Sequence, residues 1–74
     1  MLERIKEMIC EFISVDADII TADSKLRSEI GLNSFDIVNV AVEIEKEYGV
    51  SIPDRALNSM KTVGDLINYI ETNR

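Results

Sequence analysis

Gly31-Leu32-Asn33-Ser34-Phe35-Asp36 is the stretch on which the reading of this chain turns. Asn33 is a strong N-cap residue and Asp36 an acid within the turn that follows, so a helix starts at Ser34. A helix start exposes unpaired backbone N–H groups and a partial positive charge, which together favour an anion such as a phosphate. A serine hydroxyl held there is well placed to carry a phosphoryl-linked group. Taken alone, however, a serine beside a cap is the ordinary chemistry of helix starts. The residues around it have to decide.

The helix that opens at Ser34 runs to about Tyr48, with Gly49 as its C-terminal stop. At about 100° per residue its side chains fall into three arcs. Ile37, Val40, Ala41, Ile44 and Tyr48 form a core face. Asp36, Asn39, Glu43, Lys46 and Glu47 form a polar face expected to meet water. Phe35, Val38 and Val42 form a second, separate apolar row, with Glu45 beside it and Ser34 between the two apolar rows. Two neighbouring helices could cover both rows. Alternatively, the second row is partly exposed for a partner, and the acids around it would orient a basic surface.

Upstream, Leu2, Ile5, Ile9, Phe12 and Ile13 recur at helical spacing and predict a first helix from about Leu2 to Ile13. Val15 to Leu32 has no sustained period and reads as a long ordered loop pinned by Ile19, Ile20, Leu26 and Ile30, of a length that is often functional. Downstream, Val50-Ser51-Ile52-Pro53 is extended, because proline biases the residue before it away from helix. Asp54 to about Ser59 predicts a short helix. Thr62 then caps a last helix with Asp65 in its first turn and Val63, Leu66, Ile67 and Ile70 as its buried stripe. The fold expected is all-α: a small four-helix bundle of three main helices plus one short helix, with a long first loop.

Seventy-four residues allow one domain with one small core, and 5% aromatic content means Ile, Val and Leu must build it. With 14 acids against 8 bases the net charge is −6, which argues against nucleic acid and anionic membranes and for partners with basic surfaces. No apolar run is long enough for membrane insertion. Cys10 is the only cysteine, so no internal disulfide forms, as fits a reducing cytoplasmic setting. The charged, periodic N-terminus is unlike a signal peptide, and Met1 opening directly into a helix is expected of a free-standing protein. The chain holds no histidine, which excludes Ser-His and Cys-His catalysis and the common zinc sites, and leaves Cys10 an inert helix residue. Asp16, Asp18 and Asp23 do not make an EF-hand, which would need glycine at Thr21 and glutamate at Arg27. No catalytic residues and no metal ligands are expected, and the chain is not expected to be an enzyme.

Over essentially its whole length the chain resembles the acyl carrier proteins. That family's pattern is a glycine-containing loop, Asp-Ser-Leu, an acidic second helix and an Ile-Pro-Asp turn before a short helix. The corresponding residues here are Gly31-Leu32, Asn33-Ser34-Phe35, the helix through Glu43, Glu45 and Glu47, and Ile52-Pro53-Asp54. Thr62-Val63 before the last helix adds to the match. The resemblance implies that residues 1–74 are a single carrier domain and that Ser34 bears 4′-phosphopantetheine through a phosphodiester, with Asn33 beside the attachment point. The arm's terminal thiol would hold acyl groups as thioesters, so the arm, not the protein, supplies the nucleophile. Implied partners are a phosphopantetheinyl transferase and the acyl-loading and acyl-processing enzymes of fatty-acid, polyketide or related biosynthesis. These would dock through basic surfaces on Phe35, Asp36, Val38, Val42 and Glu45, and the carrier is expected to be mainly monomeric. An acyl chain sheltered between helices would lie near Ile44, Ile52, Leu57 and Ile67, gaining up to about 0.8 kcal/mol per buried CH₂.

Departures from the pattern carry information. Asn33 stands where the family has aspartate, a residue associated with recognition by the transferase and its metal ion. Phe35 stands for leucine, and Asn39 and Lys46 occupy positions where acids are common, so the recognition helix is less negative than usual. These changes suggest a carrier for a specialised pathway. An aminoacyl or peptidyl carrier shares the serine and the fold, and an unmodified helical adaptor is the alternative of a different class.

Overall fold

A computed structural model describes residues 1–74. Its elements are α1 (Leu2–Phe12), a 3₁₀ turn (Ala17–Ile19), α2 (Ser34–Tyr48), α3 (Asp54–Ser59) and α4 (Val63–Asn73), an all-helical bundle with a long first loop. The bounds of α2 follow from local chemistry. Asn33 Oδ1 accepts from Asp36 N at 2.8 Å, while Asp36 Oδ2 accepts from Asn33 N at 3.3 Å, a reciprocal capping box. At the other end Gly49 takes the left-handed conformation at φ 70° and its N–H closes on Glu45 O, ending the helix where only glycine is unstrained. Thr62 and Asp65 repeat the capping box at the start of α4.

The core contains no buried polar residue and is made mainly of aliphatic side chains. Ile5, Met8 and Ile9 of α1 pack with Ile37, Val40, Ala41 and Ile44 of α2, Leu57 of α3 and Val63, Leu66 and Ile70 of α4. Met8, which the sequence reading left out of the first helix's stripe, is fully buried. Phe12, Ile13, Tyr48 and Ile67 are only half-buried, so Ile67 flanks the last helix's stripe instead of belonging to it. Ile13 lies just outside α1 in extended conformation.

The long loop is held as expected by Ile20, Leu26 and Ile30, all buried. Ile19 is a correction: it is 62% exposed and pins nothing. The Asp16 carboxylate accepts from Asp18 N at 2.9 Å and winds Ala17–Ile19 into a tight turn. On that turn neighbouring side chains diverge, so with Ile20 inward Ile19 faces out.

A second tie to the loop is non-local. Lys25 and Thr62 form an isolated antiparallel bridge, with Leu26 N donating to Lys61 O at 2.8 Å and Val63 N to Ser24 O at 3.0 Å. The loop is thus fastened to the entry of α4. Its far end closes through Leu32 N to Leu26 O at 2.9 Å, with Gly31 at φ 93° turning the backbone into the Asn33 cap.

Candidate functional site

Ser34 is the first residue of α2, and its side chain is exposed. The capping box satisfies Asp36 N, and Ile37 N donates to Asn33 O at 3.0 Å. The Ser34 and Phe35 N–H groups have no protein acceptor. These are the orphan donors of a helix start, and they lie beside the Ser34 hydroxyl at the positive end of the helix.

Arg27 completes the site. Its Nη1 donates to Ser34 Oγ at 3.0 Å, reaching across from the long loop. Sequence reading missed this residue. Arg27 precedes Ser34 by seven positions through a segment without period, so its side-chain direction depends on how the loop closes at Leu26, Ile30 and Leu32. Its positive charge was the only available signal. Beside Ser34 opens a cleft of about 200 Å³ between α2 and α3, lined by Arg27, Ile37, Val38, Asp54, Leu57 and Asn58. Of the four residues assigned to an acyl cavity, Leu57 lines this cleft. Ile44 and Ile52 lie in the closed core, and half-buried Ile67 packs against it.

The two faces of α2 divide unexpectedly. Phe35, Val38 and Val42 are 73%, 43% and 44% exposed, so no neighbouring helix covers the second apolar row. Asp36, Asn39 and Glu43, on the face expected to meet water, are half-buried. Arg4 Nε reaches Glu47 Oε2 at 2.6 Å, which brings the start of α1 beside the polar face at the C-terminal end of α2. That hydrogen bond is also the main reason the Glu47 carboxyl is held below the ordinary carboxylate range. Glu45 is exposed next to the apolar row. Phe35, Val38, Val42 and Glu45 therefore form one accessible strip leading away from Ser34.

A capped helix with an accessible first-turn serine, free N–H groups and a guanidinium at the hydroxyl is suited to an anionic ester. Residues 3–70 of the chain match the family described as the phosphopantetheine attachment site. The chain belongs to that family, in which 4′-phosphopantetheine is covalently attached, and is a phosphopantetheine carrier. A solved structure from Mycobacterium tuberculosis, described as an acyl carrier protein, is 26% identical in sequence. The match covers 96% of this chain and 95% of that one at a TM-score of 0.81, so the two share the acyl-carrier fold. No helix here is long and apolar enough to cross a membrane.

The residues around Ser34 fit the prosthetic group. Its phosphodiester would meet the Ser34 and Phe35 N–H groups and Arg27, and the root of the arm would pass the apolar wall of Ile37, Val38 and Leu57. When bound, the group supplies a thiol for thioester formation. The protein's part would be to hold the ester and the root of the arm.

Proposed function

We propose that Ser34 is the attachment residue and that the chain carries acyl intermediates as thioesters to the enzymes of fatty-acid, polyketide or related biosynthesis. The observation that carries this reading is the exposed Ser34 hydroxyl at the first position of a capped helix, within a chain matching the family over residues 3–70. Tethering raises the effective concentration of the acyl group at each enzyme that docks the carrier. Phe35, Val38 and Val42 supply the apolar contact in docking, while Asp36 and Glu45 steer basic partner surfaces, among them the phosphopantetheinyl transferase. A monomeric, cytoplasmic carrier comprising residues 1–74 as one domain suits repeated visits to many enzymes. The acyl chain shelters near Leu57, reaching Ile44, Ile52 and Ile67 as the core opens. The reduced acidity of α2, with Asn39 and Lys46, favours a specialised pathway over bulk fatty-acid synthesis.

Asn33 supports a second reading, an unmodified adaptor that keeps the fold and uses the apolar strip only for binding. Aminoacyl or peptidyl cargo is the nearest variant of the first reading. Intact mass after incubation with coenzyme A and a broad-range transferase separates carrier from adaptor. The carrier gains one phosphopantetheinyl group and Ser34→Ala gains none; an unchanged mass with every transferase tried sinks the carrier reading. Loading with acyl and aminoacyl donors then distinguishes the cargo classes.

A further inference from the structure

Five of the eight cations of this acidic chain, Lys25, Arg27, Arg55, Lys61 and Arg74, form no ion pair, and Arg27 alone among them makes a side-chain hydrogen bond. The four ion pairs of the structure use Arg4, Lys6 and Lys46, and the side-chain hydrogen bond of Arg27 goes to the Ser34 hydroxyl. Asp54, which lines the same cleft, forms no ion pair with it. A neutral hydroxyl is a weak acceptor for a guanidinium, whereas a phosphodiester offers two free oxygens that share one negative charge and match its fork. The phosphorus of a Ser34 ester lies one bond beyond the oxygen that Arg27 already reaches. Arg27 also borders a second cleft, lined with Lys25, Ser28, Asn58, Met60 and Lys61, so the surface on its far side is basic although the whole chain carries −6.

We propose that Arg27 is a positioning residue for the phosphodiester, its guanidinium moving from the Ser34 hydroxyl to the free phosphate oxygens and fixing the root of the arm over Ile37, Val38 and Leu57. This rests on Ser34 being the attachment residue. The long first loop thereby gains a second fastening to α2 that exists only in the modified protein. The effect belongs to the charge and the fork together: lysine retains the first and loses the second, and glutamine loses the charge.

The test uses the full chain made by chemical synthesis with an ethyl phosphodiester on Ser34, joined at the Ile9–Cys10 bond, in wild-type, Arg27→Gln and Arg27→Lys forms. In the wild type, exchange of the Arg27 Nε–H with solvent slows by about threefold or more on esterification, in keeping with a surface charge pair, and high salt reverses the slowing. The ³¹P resonance moves between wild type and Arg27→Gln, and Arg27→Lys falls between them. Identical ³¹P resonances in all three forms, together with unchanged Arg27 exchange, overturn the proposal. Because Arg27 is exposed, each variant is expected to fold, and amide spectra check this. The synthetic ester needs no transferase, so the assignment of Ser34 fails separately, through an unchanged mass with coenzyme A and transferase.

Discussion

The Gly64 N–H donates to the Ala22 carbonyl at 2.7 Å, and a Cβ built on Gly64 would stand 3.0 Å from that same oxygen. This contact brings the long first loop against the first turn of α4, next to the Lys25–Thr62 bridge. The obstacle is backbone, which cannot swing aside as a side-chain tip can. Gly64→Val should therefore destabilise by about 1–3 kcal/mol through overpacking. Urea unfolding measures the loss, and hydrogen exchange should quicken first at the Leu26, Val63 and Gly64 amides. An unchanged urea midpoint would show that the loop yields easily.

At Asn33 the capping role can be separated from the proposed part in attachment. Asn33→Ala removes the acceptor for Asp36 N and should cost about 1 kcal/mol of stability, whereas Asn33→Asp keeps a good cap. If the missing aspartate slows recognition by the transferase, Asn33→Asp should raise the initial rate of mass gain with a broad-range enzyme at unchanged stability. Equal rates for the two caps would remove Asn33 from the account of the attachment step.

Phe35 and Val42 are exposed enough that Phe35→Ser and Val42→Ser should change stability by no more than about 0.5 kcal/mol. Both should raise the KM of the transferase for the carrier while leaving kcat nearly unchanged, the signature of lost uniform binding. Steady-state kinetics with the carrier as the varied substrate reads both terms. An unaltered KM would mean that the strip contacts something other than this enzyme.

Ile44 is fully buried, so Ile44→Ala should cost about 2–5 kcal/mol in chemical denaturation. For the cargo, methyl resonances of Ile37, Val38 and Leu57, which line the open cleft, should shift with short acyl chains. Those of Ile44, Ile52 and Ile67 should follow only as the chain lengthens. A long-chain form that leaves all six unperturbed would place the acyl group outside the bundle.

Asp65 accepts from Lys61 N at 2.8 Å and Thr62 N at 3.1 Å, and these bonds hold its carboxyl below the ordinary carboxylate range. Glu47 is lowered chiefly by Arg4. A depressed folded-state pKa contributes stability that is complete above the unfolded value, about 4, and is lost as pH falls through the folded value. Stability should accordingly fall on acidification below about pH 5, and Asp65→Asn should flatten that acid limb. Urea midpoints across the range check it. The Arg4–Glu47 contribution should shrink in salt because the pair is exposed.

What the sequence determined by itself is what neighbouring residues can settle among themselves. The bounds of α2 were readable because Asn33, Asp36 and Gly49 act on backbone groups within a turn of their own positions, and the same holds for Thr62 and Asp65. Helical spacing likewise found Ile37, Val40, Ile44, Leu66 and Ile70 as core. It also separated Phe35, Val38 and Val42 into a second row, but could not say whether that row was covered. Tertiary packing decided this: no neighbouring element covers Phe35, Val38 and Val42, and the row stays open. The outward turn of Ile19, the complete burial of Met8, the approach of Gly64 to Ala22 and the reach of Arg27 to Ser34 belong to the same class. Each depends on how segments without a shared period or a common cap are brought together, and that is set by the closed core and not by any local signal. The serine proposed for attachment was legible in the chain; the cation beside it came only with the fold.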